Sequence, residues 1–439
     1  MLTLIRQGYV IDPASHREGV YDVLIDKERI LKVEPQIDRE AVSREAFASG
    51  RQFNCIEAAG KYVMPGFIDL HVHLREPGFE YKETIRTGAL AAAAGGYTSI
   101  CPMPNTKPAT DSAERIQWVL DKARQEAVVN ILPVGAVTVG QAGTELTAIK
   151  DLKQAGAVAL SEDGKSVMDT ALYAEAMRQA AQEDIPVLAH CEDKSLVGRG
   201  VINAGRKAEE LKLAGISNAV EDIIAARDIL LAKETGARLH LCHCSTRDSA
   251  QMLALAKEEG LKVTGEVCPH HFTLSDEDIP GDDADYKMNP PLRSPRDVKA
   301  LKEALKAGII DVIATDHAPH SAGEKAKSFE EAPFGIVGSE TAFSLAYTEL
   351  VLEGWLTISQ LAEKMSVNPA RVLKLDRGCI GEGKIADLVI ADPKAEYEID
   401  KNKFYSMGRN TPFQGRKVRG RVEYTFVAGQ LVYQLNIKK

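Results

Sequence analysis

The sequence predicts an α/β protein: a (β/α)8 barrel with a small β-sandwich domain built from both chain ends. Three observations predict it. From Val63 to about Arg371, short apolar runs alternate with helical patterns, and eight such runs can be counted. Strand–helix alternation sustained over roughly 300 residues is the pattern of a parallel barrel. Residues 1–62 and 372–439 read instead as short strands, and a chain of 439 residues has room for one large domain, here 63–371, and one small one.

Taken in order, LTLIRQGYVID and VYDVLIDKERILKVEP read as strands with a turn near Asp26 and Lys27, and KYVMPG adds a short run. Asp38 to Gln52 is polar and charged and reads as a loop or insertion. The eight barrel strands are expected at 66–73, TSICPMPN from Thr98, VNILPVGAVT from Val129, AVALSEDG from Ala157, PVLAHCED from Pro186, RLHLCHCST from Arg238, VTGEVCPHHF from Val263 and DVIATDHAPH from Asp311. Helical stretches such as SAERIQWVLDKARQE and SPRDVKALKEALKAG lie between them, opened by a capping residue or a charged first turn. At the C-terminal end, GKIADLVIADP is followed by RGRVEYTFV and QLVYQL, joined as a hairpin across Ala428 and Gly429.

Composition narrows the class. The 44% hydrophobic and 27% charged content is that of an ordinary soluble protein. A net charge of -9 offers no basic footprint for nucleic acid. The opening MLTLIRQGYVID has no basic segment leading into an apolar one, and no uncharged apolar stretch reaches ~18 residues, so no membrane association and a cytoplasmic location are expected. Seven scattered cysteines, Cys55, Cys101, Cys191, Cys242, Cys244, Cys268 and Cys379, argue against a disulfide framework and fit a reducing compartment.

The chemistry gathers around Met64 to Gly78, MPGFIDLHVHLREPG. On a strand, His71 and His73 point the same way with Asp69 behind them, so two imidazoles can grip one metal ion. Arg75 follows on the loop as a planar cation suited to an anion. A pair of strand histidines is common without any metal; the barrel rule changes the reading, because such barrels carry their chemistry at strand C-terminal ends. Those ends hold His71 and His73, Asn105, Glu162 and Asp163, His190, His243, and Asp316 and His320. Four histidines and two carboxylates can hold two divalent ions if one carboxylate bridges them, a donor set that suits zinc, with manganese or cobalt as alternatives. A Cys242, His243, Cys244 thiolate site is disfavoured because alternation sends its members to opposite faces; the two thiols are expected to pack against helices. His270 and His271 fit a site-orienting or a structural role equally.

The motifs FIDLHVHLREPG, PMPNTKP, LSEDG, AHCED, HCST, KMNPPLR, ATDHAPH and APFGIVGSET occur in that order and cover nearly the whole chain. Together they resemble the type I dihydroorotases of the amidohydrolase superfamily. DxHxH alone says only metal-dependent hydrolase; HLREPG, KMNPPLR and DHAPH with APFGI are far more specific. The resemblance implies that His71, His73, Asp163 and Asp316 hold one metal, and Asp163, His190 and His243 the other, with Asp163 bridging. In many relatives a carboxylated lysine bridges, and Lys165 lies close enough to leave that alternative open. It further implies that Arg75, Asn105 and Asn289 hold a substrate carboxylate, with His73 also facing the substrate, and that His320 and the Phe334–Gly335 backbone contact its ring. Ser339 departs from the larger apolar residue usual in relatives, at a position beyond the substrate-contacting pair.

The implied reaction is reversible hydrolysis of dihydroorotate to N-carbamoyl-aspartate in pyrimidine synthesis, with Asp316 as both ligand and proton carrier. Hydantoinase or allantoinase would use the same metals on rings lacking a carboxylate for Arg75. An inactive scaffold is the other rival, and it would be expected to lose ligands, whereas all six positions are filled. The resemblance also brings two macromolecular partners into consideration: aspartate transcarbamoylase, which some relatives bind, and a further copy of this chain. Ser321 to Gly335, polar and placed directly after Asp316 and His320, is expected to be either a lid or a solvated connector.

Overall fold

The computed structural model describes residues 1–435. Both chain ends build one sheet. Its order runs Gln430–Gln434, Lys417–Val427, Leu388–Glu398, Tyr62–Pro65, Leu2–Asp12, Arg17–Asp26 and Arg29–Glu34, with Phe53–Glu57 pairing parallel to Leu2–Asp12 off this path. The ends fold together because their apolar alternations meet: Ile5, Val23, Val63, Leu388, Ile390 and Phe426 share one buried cluster. The hairpin across Ala428 and Gly429 forms as expected, with φ of 46° and 72°. Glycine is required there, since a Cβ on Gly429 would lie 1.9 Å from the Lys27 carbonyl oxygen.

Arg39–Ala48 is an α-helix where the sequence suggested a loop. Asp38 caps it, Oδ1 accepting from Glu40 N at 2.9 Å and Ala41 N at 3.1 Å. Its buried residues are Val42 and Ala46, packed with Leu2, Leu4 and Leu24. Two apolar contacts four residues apart are too narrow a stripe to stand out in a charged run. Phe53–Glu57, also unforeseen as a strand, pairs residue for residue with Leu2 to Arg6.

Between the two ends the strands are parallel. Phe67–Val72 pairs with Tyr97–Pro102, which pairs with Asn130–Ile131. Val134–Ala136, Ala159–Ser161, Val187–Ala189, Leu239–Leu241, Val263–Val267 and Val312–Ile313 follow in that order in a second sheet. Asn130–Ile131 and Val134–Ala136 are one expected strand in two pieces, split where Pro133 has no N–H to give. On the far side Val72 bridges to His317, and His73 N donates to His317 O at 2.8 Å, so the pairings return to their first strand. Helices Ala113–Glu126, Thr170–Gln182, Ala219–Thr235, Arg247–Glu258 and Pro295–Lys306 lie where the periodicity placed them. Ile68, Leu70, Val134, Ala159, Leu188 and Val312 form an apolar cluster drawn from successive strands, and Leu160, Val187 and Leu239 pack outward with Met177, Leu253 and Leu301. Among the described residues no helix is long and apolar enough to cross a membrane.

Candidate active site

The strands end in a ring of titratable groups. His71 closes Phe67–Val72 with His73 just beyond, Asp163 stands two residues after Ala159–Ser161, His190 directly follows Val187–Ala189, His243 stands two residues after Leu239–Leu241 and Asp316 three after Val312–Ile313. All six are at most 6% exposed. Asp163 is their meeting point: its Oδ1 lies 3.0 Å from His71 Nε2, 3.6 Å from His190 Nδ1 and 3.9 Å from His243 Nε2, and its Oδ2 lies 3.5 Å from His73 Nε2. Asp316 Oδ1 lies 3.0 Å from His73 Nε2 and 3.7 Å from His71 Nε2. Burial pushes the Asp316 carboxyl up, but the His73 hydrogen bond and the surrounding imidazoles pull it well below the usual carboxylate range.

The backbone departs from strand geometry to achieve this. Arg75, His243 and Asp316 have φ of 61°, 34° and 48°, a left-handed region unusual for non-glycine residues and found at functional sites. The turn at His243 also corrects the expected facing of its neighbours. Cys244 does pack in the outer apolar cluster, but Cys242 lies in the inner one, beside His71 and Glu266.

The orientation of the rings tests whether these residues fit a metal. His71 Nδ1 is 3.0 Å from Glu266 Oε1, and a neutral ring with its N–H there presents the Nε2 lone pair toward Asp163. That Nε2 is buried and, among the described residues, has no hydrogen-bond partner, though Asp163 Oδ1 is close by. His190 Nδ1 and His243 Nε2 face each other at 2.8 Å. Lone pairs converging on carboxylate oxygens are what a shared cation resolves. His71, His73 and Asp163, and separately Asp163, His190 and His243, converge closely enough to hold one each.

Two supporting carboxylates escaped the sequence reading. Glu266 accepts from His71 Nδ1, from His240 Nε2 at 3.0 Å and from His243 N at 3.2 Å. Burial raises its pKa, but the His240 and His71 hydrogen bonds outweigh that and hold it at about 2. Glu192 lies 3.3 Å from His190 Nε2 and accepts from Asn289 Nδ2 at 3.1 Å, tying a candidate ligand to a candidate substrate group. The available signal was a carboxylate inside an apolar strand for Glu266 and an acidic pair, Glu192 and Asp193, just after one.

The other expected residues divide. Asn105 donates to Asp163 Oδ2 at 3.1 Å while its Oδ1 lies 3.0 Å from His73 Nδ1. Arg75 is half-buried at the rim, Nε donating to Pro319 O at 3.1 Å. His320 donates from Nε2 to Phe334 O at 2.8 Å, and its Nδ1 lies 3.3 Å from Lys82 Nζ. Burial, then Arg75, Lys82 and Lys325, push its pKa down, so it stays neutral. Gly335 permits the close approach of these segments, since a Cβ there would lie 2.6 Å from Ala318 O and 2.8 Å from His320 Cδ2. Lys165 donates instead to Gln141 O at 2.9 Å, and Glu162 accepts from Val137 N and Thr138 N. His271 Nε2 lies 2.9 Å from Pro290 O, and with Cys268 and His270 it forms a separate buried group. Ser339 is buried behind the site, its N donating to His317 Nδ1 at 3.4 Å. The 321–335 segment is anchored: Lys325 Nζ donates to Lys287 O, Pro333 O and Gly335 O, each at 3.1 Å, and Glu324 pairs with Lys82 at 2.9 Å.

Residues 60–249 match the family model described as Dihydro-orotase-like. A dihydroorotase of Caldanaerobacter subterraneus subsp. tengcongensis is 47% identical over 439 residues, covering 100% of this chain and 99% of that protein. The chain belongs to the dihydroorotase family. A further dihydroorotase, of a Geobacillus species, is 51% identical over 379 residues, 86% of this chain and 89% of its own length. The crystal structure of dihydropyrimidinase from Brevibacillus agri superposes with a TM-score of 0.84 at 25% identity, covering 99% of this chain and 95% of that one. Dihydroorotase-family membership and the amidohydrolase fold together make the chain a metal-dependent cyclic amide hydrolase.

Proposed function

We propose that the chain catalyses the reversible hydrolysis of (S)-dihydroorotate to N-carbamoyl-L-aspartate in de novo pyrimidine synthesis. The observation that carries this reading is Arg75, a guanidinium held at the edge of the buried His and Asp ring by Pro319 O. A planar fork beside a hydrolytic centre suits a ring bearing a carboxylate. In this reading 63–371 is a closed (β/α)8 barrel, and 1–62 with 372–439, of which 436–439 lie outside the described residues, is the β-sandwich domain.

His71, His73, Asp163 and Asp316 would hold one zinc ion and Asp163, His190 and His243 a second, with Asp163 as the bridge. Bound there, divalent cations polarise the amide carbonyl and lower the pKa of water. Asp316 carries the proton, taking it from the attacking water and handing it to the leaving ring nitrogen; in ring closure the proton returns by the same oxygen. His320 suits ring contact better than proton transfer, because its Nδ1 lone pair already faces Lys82 Nζ. Arg75, Asn105 and Asn289 hold the carboxylate, and the Phe334–Gly335 backbone lines the ring.

The solved relatives named hydantoinase and dihydropyrimidinase motivate a second reading, with the same centre acting on a ring lacking the carboxylate. An assay of zinc-loaded protein with dihydroorotate, carbamoyl-aspartate, hydantoin and allantoin separates the two. Turnover of the first pair in both directions and none of the second is expected. Hydantoin hydrolysis outrunning dihydroorotate hydrolysis would replace this reading with the rival, and no turnover at all would point to the inactive scaffold.

A further inference from the structure

Asn410 lies outside the machinery described above, 90 residues from His320 in the chain and beyond the part matched by the family model. It is buried, and its side chain is engaged through both its oxygen and its nitrogen. Oδ1 accepts from His320 N at 3.0 Å, and Nδ2 donates to Ala318 O at 3.0 Å and to Gly335 O at 2.9 Å. Its own carbonyl accepts from Val337 N at 2.9 Å. A primary amide offers two N–H donors and a carbonyl oxygen, and both donors and the oxygen are engaged on two strips of chain, Ala318 to His320 and Gly335 to Val337.

Those strips are the ones that carry the ring-contacting groups. They touch each other through Ala318 N donating to Ile336 O at 2.7 Å and His320 Nε2 donating to Phe334 O at 2.8 Å. Asn410 reaches them because its segment is pressed into the gap: a Cβ on Gly408 would lie 2.7 Å from both Pro319 Cβ and Val337 Cγ1. The same segment is tied down a second time, Met407 N donating to Glu83 Oε1 at 3.2 Å, while Glu83 Oε2 lies 3.4 Å from His317 Nε2.

We propose that Asn410 is a positioning residue for the substrate ring, a clip that sets the spacing between the His320 imidazole and the Phe334–Gly335 backbone without touching substrate or cation. The specificity of the amide follows from its partners. An aspartate has the same shape and keeps an acceptor for His320 N, but offers no donor to Ala318 O or Gly335 O and sets a negative charge against both. Serine is too short to span the two strips. The clip ties the ring-contacting edge of the site to the chain that runs between two strands of the terminal sheet, Leu388–Glu398 and Lys417–Val427.

The kinetic arm of the test rests on the proposed function; a second arm does not. Asn410→Ala and Asn410→Asp are compared with the parent for zinc content, for KM and kcat on dihydroorotate, and for amide hydrogen exchange at His320. Both variants are expected to keep full zinc and to raise KM about tenfold or more with kcat changed by less than about threefold. His320 N–H exchange should be faster by about tenfold or more in Asn410→Ala. Should the alanine variant fail to fold, the isosteric aspartate carries the kinetic arm. KM within about twofold of the parent, or a loss of zinc in step with activity, would overturn the proposal. If the parent itself does not turn over dihydroorotate, the functional reading falls, and an unchanged His320 exchange rate would then separately dismiss the clip.

Discussion

At the strand ends, His71, His73, Asp163, His190, His243 and Asp316 are buried against one another, whereas the terminal sheet buries Ile5, Val23, Val63, Leu388 and Phe426 drawn from both ends of the chain. The two regions are equally dry and opposite in chemistry. Burial of a large apolar side chain stabilises the fold by about 1.5–3 kcal/mol, while burial of an ionisable group is unfavourable unless a partner compensates it. The left-handed backbone at Arg75, His243 and Asp316 adds strain to the first region. On the proposed function the difference divides the tasks of the molecule: the sheet holds the chain together, and the rim is completed by the cations it would hold.

Substitutions in each region can break or sharpen that separation. The largest expected effect is at Asp163, the proposed shared ligand. Asp163→Ala should lower zinc content at both positions, read by elemental analysis, and depress activity beyond the roughly 10²- to 10⁴-fold of a lost general base. Its zinc-free form should melt no lower than the zinc-free parent. Full zinc with full activity in this variant would move the bridge elsewhere, with Lys165 the alternative that the sequence leaves open.

In the sheet the signs reverse. Phe426 is fully buried, and Phe426→Ala should cost about 3–5 kcal/mol in urea unfolding while kcat of the folded enzyme stays at the parent value. A fall in kcat at constant zinc content would show that the two regions are not separable. Back at the rim, Arg75→Lys keeps the charge and loses the fork. It should reduce kcat/KM for dihydroorotate by about 1.5–3 kcal/mol of transition-state binding with zinc unchanged, and unaltered kinetics would remove Arg75 from the substrate site. The smallest effect belongs to the helix that the sequence hid: Asp38→Ala should lower stability by about 1 kcal/mol and leave kinetics alone. An unchanged urea midpoint would mean that water replaces the cap at no cost.

The same contrast explains what could be read from the sequence. The eight expected strands were legible because their apolar runs and turn residues are local signals, and the candidate ligands could be proposed because the barrel rule gathers strand ends that lie far apart in the chain. Glu266 and Glu192 were not, because a carboxylate in or after a strand looks like ordinary surface alternation until its imidazole partner is placed. The facing of Cys242 was misjudged because it was counted back from the site-facing His243, whose φ of 34° breaks the alternation that Leu239 to Cys242 keep. The helix Arg39–Ala48 was missed because its packing rests on Val42 and Ala46 alone. Asn410 gives no local signal at all, since its side-chain partners are 75 to 92 residues away.

The most direct test of the central claim is Asp316→Asn, which keeps the shape and one carbonyl oxygen but cannot accept and return a proton. Steady-state rates are measured in hydrolysis and in ring closure, alongside zinc content and thermal stability. The account predicts a folded, zinc-loaded protein whose kcat falls by roughly 10² to 10⁴ in both directions, because one proton on one oxygen serves both. A folded, zinc-loaded variant within a few-fold of the parent rate in either direction would contradict it.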